Sequence, residues 1–191
     1  MSDNHQPRFE TQAKAKMKPL IEYIRTIPDV PKPGILFRDI MPLIQDGDAY
    51  RQAVDSLTEG IKPWGAIDKI AAPEARGFIF AGALAYQLGI GVVPLRKPGK
   101  LPFDTISIDY DLEYGSNTIE MHKDAVLPGE RVVILDDLLA TGGTVAACRK
   151  LLESIGANVV GAAFLIELVD LKGRDKLVDL PVFAPIVFEG E

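Results

Sequence analysis

The sequence has little of what stabilises secreted or membrane proteins. Cys148 is the only cysteine among 191 residues, which excludes an internal disulfide framework and a cysteine-rich metal site and fits a reducing cytosol. No apolar run is long enough to span a bilayer, and residues 1–20 lack the apolar centre of a signal peptide. We therefore expect a cytoplasmic protein that does not bind membranes.

Positive charge is also scarce. The chain has 21 Lys and Arg against 27 Asp and Glu, which gives a formal net charge of −6 at pH 7. This sign argues against nucleic acid as a partner, because nonspecific nucleic-acid binding needs a basic surface. An acidic protein that binds a small anion must instead gather a few cations and backbone N–H groups in one place.

What is present is the composition of an ordinary globular protein. Hydrophobic residues make up 47% of the chain and charged residues 25%. A length of 191 residues suits one domain with its own hydrophobic core. We expect residues 1–191 to form this single domain, with a polar tail over about residues 1–12.

Apolar periodicity predicts two helices, over residues 13–26 and 49–61, followed by alternating strands and helices. The predicted strands lie in DKIAAPEARG, IGVVPLRKPGKLP, RVVILDD, ANVVGAAFLIELVD and PVFAPIVF. The helices among them are FIFAGALAYQLG and GGTVAACRKLLESIG, closed by Gly89 and Gly156, and LKGRDKL is a short helical turn. Residues 105–122 alternate with period two on both sides of EYGSN, which predicts a hairpin or a long flap.

Strands that are continuously apolar and alternate with helices are typical of a parallel sheet covered on both faces. We therefore expect an α/β protein with a central, mainly parallel sheet flanked by helices. In such sheets ligands bind in the loops beyond the carboxyl ends of the strands. The segments PEARG, RKPGK and DDLLATGGT occupy such positions in this sequence.

The segment RVVILDDLLATGGT places two carboxylates next to a glycine-rich turn. Ionised carboxylates accept hydrogen bonds that ribose hydroxyls donate. The turn and the helix that begins near Gly143 offer backbone N–H groups to one phosphate. The lysine of a P-loop and the G-x-G-x-x-G of a dinucleotide fold are absent. The candidate residues for a ribose 5-phosphate are Asp136, Asp137, Ala140, Thr141, Gly142, Gly143 and Thr144.

Two neighbouring acids on a strand point to opposite faces, so both serve one ligand only if the strand ends at Asp136 and Asp137. We expect the strand to end there. Two other interpretations of the segment stay open at this point. One is a tight strand-to-helix turn with two solvated acids, and the other is a receiver-type acidic pocket that holds Mg²⁺.

VVILDDLLATGGT resembles the phosphoribosyl-diphosphate signature of the type I phosphoribosyltransferases. PKPGILFRDI, EARGFIF with RKPGKLP, and YDLEYG together resemble the adenine phosphoribosyltransferases, in collinear order from about residue 20 to about residue 187. The resemblance implies the type I phosphoribosyltransferase fold, with a small N-terminal hood over about residues 13–45 and a flexible flap. It implies purine salvage, in which adenine and 5-phosphoribosyl 1-diphosphate give AMP and diphosphate, with Mg²⁺, in a homodimer.

The same resemblance implies roles for individual residues. Phe37 stacks on adenine while the main chain of Leu36 and Arg38 reads its edge, and Glu113 exchanges a proton with the purine. Arg76 acts in catalysis, and no protein group is assigned to Mg²⁺, which the diphosphate and ribose hydroxyls hold. The residues implied for the diphosphate are Glu74 and Ala75, joined by a cis peptide bond, with Arg76, Arg96, Lys97 and Lys100. Pro73 departs from the residues expected before this motif.

Charge supports part of this assignment, since the four cations just named are concentrated at predicted strand ends, and an arginine suits bidentate phosphate contact. In similar enzymes the basic loop crosses a dimer interface, so Lys97 and Lys100 are candidates to serve a neighbouring site. Taken alone, RKPGK could be a solvated turn, Phe37 a core residue, and Glu113 a surface residue. Arg38 could then pair with Asp39.

Two alternatives for the function remain. One is a phosphoribosyltransferase for another purine base. The other is a regulator of the same fold that binds phosphoribosyl diphosphate and controls transcription. The chain lacks a helix-turn-helix extension and has the wrong net charge for the second.

Overall fold

A computed structural model describes residues 18–111 and 116–190. The strands are β1 Arg25–Pro28, β2 Leu36–Asp39, β3 Lys69–Pro73, β4 Gly91–Leu95, β5 Thr105–Asp111, β6 Ser116–His122, β7 Arg131–Leu139, β8 Asn158–Leu168, β9 Val182–Phe183 and β10 Ile186–Phe188. The α-helices are α1 Met41–Gln45, α2 Gly47–Ile61, α3 Gly77–Leu88 and α4 Gly143–Glu153.

The main sheet has the strand order β10-β8-β7-β3-β4, and every neighbouring pair is parallel. Strand β9 adds a short parallel pairing to β8. The predicted α/β class with a parallel central sheet is therefore confirmed. Within residues 18–111 and 116–190, no helix is both long and apolar enough to cross a membrane.

Two apolar layers cover the faces of the sheet. Alternate residues of β7 point to opposite layers: Val133 and Leu135 pack with α2 and α3, while Val132 and Ile134 pack with α4 and the β5–β6 hairpin. Each fully buried aliphatic side chain of this kind contributes about 1.5–3 kcal/mol relative to exposure. Cys148 lies fully buried in the second layer, where it packs as a small core residue.

Capping residues set the ends of the predicted helices. Helix α2 begins two residues earlier than expected, because the Asp46 carboxylate accepts the N–H groups of Asp48 at 3.0 Å and Ala49 at 2.9 Å. Helix α3 ends before Gly89, which closes it as predicted and has a φ of 70°. After α4 the N–H of Gly156 donates to Glu153 O at 3.0 Å, and its φ of 87° closes the helix.

The predicted helix over residues 13–26 is wrong in its described part. Only Leu20–Tyr23 is helical, as one 3₁₀ turn, and Arg25–Pro28 pairs antiparallel with Leu36–Asp39. Side chains reinforce the pairing, since Arg25 Nη2 lies 3.0 Å from Asp39 Oδ2 and Arg38 Nη1 donates to Thr26 Oγ1 at 2.6 Å. The pairing satisfies the backbone groups that a helix would have used.

Two further segments differ from or refine the predictions. The predicted last strand over residues 181–188 is two short strands, β9 and β10, with Pro185 between them, where a proline lacks the N–H that a ladder needs. The predicted hairpin is confirmed in its described part, since β5 and β6 pair antiparallel from Thr105 with His122 to Asp111 with Ser116. Its tip, residues 112–115, lies outside the described residues.

Candidate active site

The parallel order β8-β7-β3-β4 brings the carboxyl ends of four strands to one edge of the sheet. The loops that follow β3, β4 and β7 carry most of the residues predicted for ligand binding. The β1–β2 hairpin supplies the remaining segment, residues 36–38. This is the edge at which parallel sheets bind ligands.

The glycine loop after β7 forms a small polar pocket of about 70 Å³. All the residues predicted to bind the phosphate line it, together with one acid of the pair; they are Asp136, Ala140, Thr141, Gly142, Gly143 and Thr144. Helix α4 begins at Gly143, so its first N–H groups point to the pocket. The pocket is therefore suited to a single phosphate group.

Gly142 is required by both conformation and space. Its φ is 75°, which an L-residue adopts at a cost of about 1–2 kcal/mol. A Cβ atom at Gly142 would lie 2.4 Å from the carbonyl oxygen of Gly173. The phosphate loop is thus closed from behind by the backbone of a second segment.

The strand that carries the acid pair does not end at Asp137, as we expected, but continues to Leu139. Both acids nevertheless lie at the carboxyl end of β7, Asp136 at the phosphate pocket and Asp137 against Arg76. Asp137 is 4% exposed and its Oδ2 lies 2.9 Å from Arg76 Nε, while Asp136 Oδ1 accepts the N–H of Asp137 at 2.9 Å. A hydrogen bond between the neighbours therefore holds Asp136 at the pocket without a turn at this point.

Desolvation dominates the electrostatics of the pair. Burial raises the pKa of Asp136 well above its usual range, and the charge of Asp137 raises it further. Burial also raises the pKa of Asp137, although the Arg76 guanidinium opposes the shift. Two carboxyl groups that are costly to ionise in the free protein are well suited to a ligand that brings hydrogen-bond donors, such as a ribose diol.

The loop after β3 contains the cis peptide bond expected between Glu74 and Ala75, so Pro73 does not prevent it. Glu74 Oε2 lies 2.7 Å from Arg96 Nε, and Arg96 Nη1 donates to Lys100 O at 3.2 Å. The structure thus joins the β3 and β4 loops through Arg96. Arg76, at the start of α3, is instead turned to the acid pair.

The basic loop after β4 is exposed at Lys97 and Lys100 but anchored from below. Glu120 of β6, 6% exposed, accepts the N–H of Gly99 at 3.1 Å. The backbones of Glu120 and Arg96 exchange hydrogen bonds of 2.8 and 2.9 Å. Sequence reasoning missed Glu120, because it lies between apolar Ile119 and Met121 and belongs to no motif.

A second pocket, of about 430 Å³, lies beside the phosphate pocket and has the size of a site for a small organic ligand. The three residues predicted to bind the base line it, with others that the sequence did not indicate; the lining residues are Gly34, Ile35, Leu36, Phe37, Arg38, Arg76, Leu138, Ala140, Leu168 and Leu171. The two pockets share Leu138 and Ala140. They therefore form adjoining parts of one site.

The aromatic ring of Phe37 faces this pocket rather than the core, with the Arg76 guanidinium 5.5 Å from its centroid. Arg38 does not pair with Asp39, whose carboxylate instead binds Arg25. The Arg38 side chain stacks 4.0 Å from the Phe188 ring centroid. Arg38 lines the pocket beside Phe37.

The proposed proton-transfer residue, Glu113, lies outside the described residues. The strands that lead to it do reach the phosphate loop, since Thr144 Oγ1 lies 3.5 Å from the Tyr110 hydroxyl.

Among residues 18–111 and 116–190, no group of three His, Cys, Asp or Glu side chains is placed to bind a metal ion.

Comparisons with known proteins agree with this geometry. The sequence model of the phosphoribosyl transferase domain matches residues 44–185. The adenine phosphoribosyltransferase of Bradyrhizobium sp. BTAi1 is 58% identical over 171 residues, which are 87% of this chain and 94% of that protein. The crystal structure of adenine phosphoribosyltransferase from Thermoanaerobacter pseudethanolicus superposes with a TM-score of 0.85 at 52% identity, covering 88% of this chain and 98% of that one.

A third relative was solved with ligands. The adenine phosphoribosyltransferase of Saccharomyces cerevisiae, in complex with adenine and D-2,5-dideoxy-2,5-imino-altritol 1,6-bisphosphate, superposes with a TM-score of 0.83. It is 39% identical, and the match covers 87% of this chain and 96% of that one.

Proposed function

Because this chain belongs to the adenine phosphoribosyltransferase family, we propose that it transfers the phosphoribosyl group of 5-phosphoribosyl 1-diphosphate to adenine, giving AMP and diphosphate. The reaction serves purine salvage. The observation that carries the proposal is the adjoining pair of pockets. One is polar and has about 70 Å³, and the other is mostly apolar and has about 430 Å³. A nucleoside monophosphate needs this combination, with the ribose at the shared wall.

The ribose 5-phosphate binds at the end of β7. The phosphate occupies the loop of residues 140–144, where it accepts hydrogen bonds from backbone N–H groups and from the hydroxyls of Thr141 and Thr144. Asp136 and Asp137 accept hydrogen bonds from the ribose diol. Anchoring the phosphate far from the reacting bond supplies binding energy that helps to orient that bond.

The diphosphate binds near Glu74, Ala75 and Arg76, with Arg96, Lys97 and Lys100 as the neighbouring cationic loop. This role is supported by the link between the two loops, Glu74 Oε2 to Arg96 Nε at 2.7 Å. Mg²⁺ fits as a substrate-bound ion, with diphosphate and ribose oxygens as ligands, because it binds hard oxygen ligands and usually retains substrate phosphates and water. When bound, it neutralises charge on the departing diphosphate.

Adenine binds in the larger pocket. Phe37 stacks on the ring, and the main chain of Leu36 and Arg38 offers hydrogen-bonding groups to its edge. Glu113, at the flap, exchanges a proton with the purine as N9 attacks. The Glu113→Gln variant is expected to lower kcat by roughly 10²–10⁴-fold. A loss below about threefold would mean that the flap only covers the site.

At ribose C1 the bond to diphosphate loosens before the bond to N9 forms, so positive charge develops on the sugar. The acid pair lies beside the ribose, and hydrogen bonds donated by the diol favour its ionised form against the effect of burial, so that its negative charge stabilises the positive sugar. Arg76, held 2.9 Å from Asp137, stabilises the departing diphosphate on the other side. The acid pair and the arginine therefore act on opposite charges of one transition state.

The decisive experiment is a competition among adenine, hypoxanthine and guanine, with phosphoribosyl diphosphate, Mg²⁺ and detection of released diphosphate. We expect turnover with adenine alone. Turnover of hypoxanthine or guanine at a comparable kcat/KM would contradict the base assignment. No diphosphate release with any base, from protein that binds phosphoribosyl diphosphate, would contradict the enzymatic function.

We place the protein in the cytoplasm, since the single cysteine fits a reducing compartment. We also propose that it forms a homodimer. A groove of about 410 Å³ between α2 and α3 supports the dimer, and Tyr86 beside it is 91% exposed. Arg51 and Asp55 at its rim provide the opposite charges that a twofold interface can pair. Light scattering should give twice the chain mass, and Tyr86→Glu should reduce it to one; a monomeric wild type would contradict the dimer.

A further inference from the structure

We propose that Glu167 and Arg174 are positioning residues, whose ion pair fixes one loop that lines the base pocket and supports the phosphate loop from behind. The loop comprises residues 169–173 and follows β8; we call it the wall loop. The proposal rests on the proposed function, because it assigns the wall loop to AMP binding.

The ion pair closes the wall loop at its base. Arg174 Nε and Nη2 each lie 2.6 Å from one oxygen of the Glu167 carboxylate, and Nη1 donates to Val182 O at 3.2 Å. Glu167 is 6% exposed, so few water molecules compete for its oxygens. A bidentate pair fixes orientation as well as distance. It therefore holds the end of the loop against the strand from which the loop begins.

The position of the pair relates it to the site. In the β7–β8 ladder Glu167 lies opposite Leu139, the last residue before the phosphate loop. The wall loop and the phosphate loop thus leave neighbouring strands at the same level of the sheet. Any displacement of one loop is transmitted to the other at this level.

The wall loop lines the base pocket and lies behind the phosphate loop. Leu171 of the loop and Leu168, the last residue of β8, line the base pocket. Gly173 lies against the phosphate loop so closely that a Cβ atom there would be 2.3 Å from Ala140 O. In the opposite direction, a Cβ atom at Gly142 would be 2.4 Å from Gly173 O. At these two positions the backbone of one loop faces the backbone of the other, and the Leu139 side chain packs beside them.

The wall loop is also internally stiff. A 3₁₀ turn, Val169–Leu171, forms most of it, and Lys172 N donates to Val169 O at 2.9 Å; a second 3₁₀ turn, Gly173–Lys176, begins at its last residue and contains Arg174. Asp170 Oδ2 of the loop also accepts the N–H of Gly190, and the Glu167–Arg174 pair fixes the point at which the loop returns to β8. Loss of the pair should therefore disturb Leu168, Leu171 and Gly173 together.

The diphosphate loops are built on the other side of the site. Arg76 and Arg96 lie on the β3 and β4 loops, and their recorded partners are Asp137, Glu74, Glu120 and Lys100. None of these residues belongs to the wall loop. Release of the wall loop should weaken AMP binding and leave diphosphate binding unchanged, a split that a general loss of stability would not produce.

The experiment compares Arg174→Gln and Glu167→Gln with wild type, by calorimetric titration with AMP and, separately, with Mg²⁺-diphosphate. We expect the AMP dissociation constant to rise about tenfold in each variant, within the range for residues that act on a ligand through others. The diphosphate dissociation constant should stay within twofold. The double variant should lose no more AMP affinity than either single variant, because the two residues act as one unit.

Arg149→Gln is the matched control. Arg149 also pairs with a carboxylate, Glu153 at 2.8 Å, and donates to a backbone carbonyl, Val178 O at 3.1 Å, but it lies on α4 outside both pockets. It should bind AMP as wild type does. If a glutamine variant fails to fold, Arg174→Lys keeps the charge and loses the bidentate geometry, and it should bind AMP with intermediate affinity.

Three results would overturn the proposal: unchanged AMP affinity in the folded variants, an equal loss of AMP and diphosphate affinity, or the same loss in Arg149→Gln. A wild-type protein that does not bind AMP at all would instead contradict the proposed function, so the two failures are distinguishable.

Discussion

Replacing Gly142 by alanine tests the phosphate loop most directly. The change has two separable costs. A φ of 75° costs an L-residue about 1–2 kcal/mol. The new Cβ would also lie 2.4 Å from Gly173 O, so the two backbones must separate by roughly 1 Å to reach a normal carbon–oxygen contact. A displacement of about 1 Å can reduce the rate about 10²-fold.

Gly89→Ala separates the two costs, because Gly89 has a similar φ of 70° but nothing within 4 Å of its would-be Cβ. Gly89→Ala should lose about 1–2 kcal/mol of unfolding free energy, a fall of roughly 2–8 °C in Tm for a domain of this size, and Gly142→Ala should lose more, because the contact with Gly173 O adds to the cost of φ. Only Gly142→Ala should raise the KM for phosphoribosyl diphosphate, by roughly 10²-fold.

Steady-state kinetics with each substrate varied in turn gives the KM for phosphoribosyl diphosphate of each variant, and thermal unfolding gives the Tm of each. The reasoning is refuted if Gly142→Ala raises that KM less than about threefold. It is refuted equally if Gly89→Ala raises it as much, since the effect would then follow from lost stability rather than from the contact with Gly173.

Four other outcomes follow from the same geometry. Asp137→Asn should lower kcat/KM for phosphoribosyl diphosphate by roughly 10–10²-fold, because Arg76 loses its charged partner. Unchanged turnover in diphosphate-release assays would contradict the role of Asp137 in substrate binding. Arg76→Lys should lower kcat more than it raises the KM for adenine, because a lysine lacks the planar fork, and wild-type kcat would rule this out. Burial raises the pKa of Asp136, so this residue stabilises the folded state in acid, and that stabilisation is lost as the pH rises from 3.8 through the raised pKa. Asp136→Asn should therefore resist urea better than wild type at pH 7 and lose this advantage toward pH 4. A difference in unfolding free energy that does not change with pH would contradict the shift. Gly60→Ala should cost about 1–3 kcal/mol of stability without changing kcat, since its Cβ would lie 2.2 Å from the Phe183 ring, and an unchanged Tm would contradict that contact.

Local signals account for the parts of the fold that the sequence predicted. Helix α3, with Gly89 at its end, and strand β7 were predicted because a terminal glycine and an apolar run are visible within a short window. The β1–β2 pairing was missed because its hydrogen bonds join residues 25–28 to residues 36–39 across a proline-rich connection. No pattern within either strand records its partner.

In the site, too, the features within one segment were predicted from the sequence and the contacts between distant segments were not. Asp136, Asp137 and the phosphate loop form one contiguous segment, so their proximity follows from the chain itself. Leu168 and Leu171 come to the base pocket only because β8 lies parallel to β7, and as apolar residues after a buried strand they looked like core. The sequence therefore predicted the chemistry that polar motifs carry, while the apolar walls that shape the pockets depended on tertiary structure.

Burial of the only cysteine has a practical consequence for observing the flap. Burial raises the pKa of the Cys148 thiol, so little thiolate is present at neutral pH and alkylating reagents react slowly. A cysteine placed at the partly exposed Thr118, on the hairpin strand that leads to residues 112–115, would carry a fluorophore or spin label as the single reactive thiol. The native residue could be left in place, so the environment of the β5–β6 hairpin with and without ligand could be recorded spectroscopically in a protein with an unaltered core.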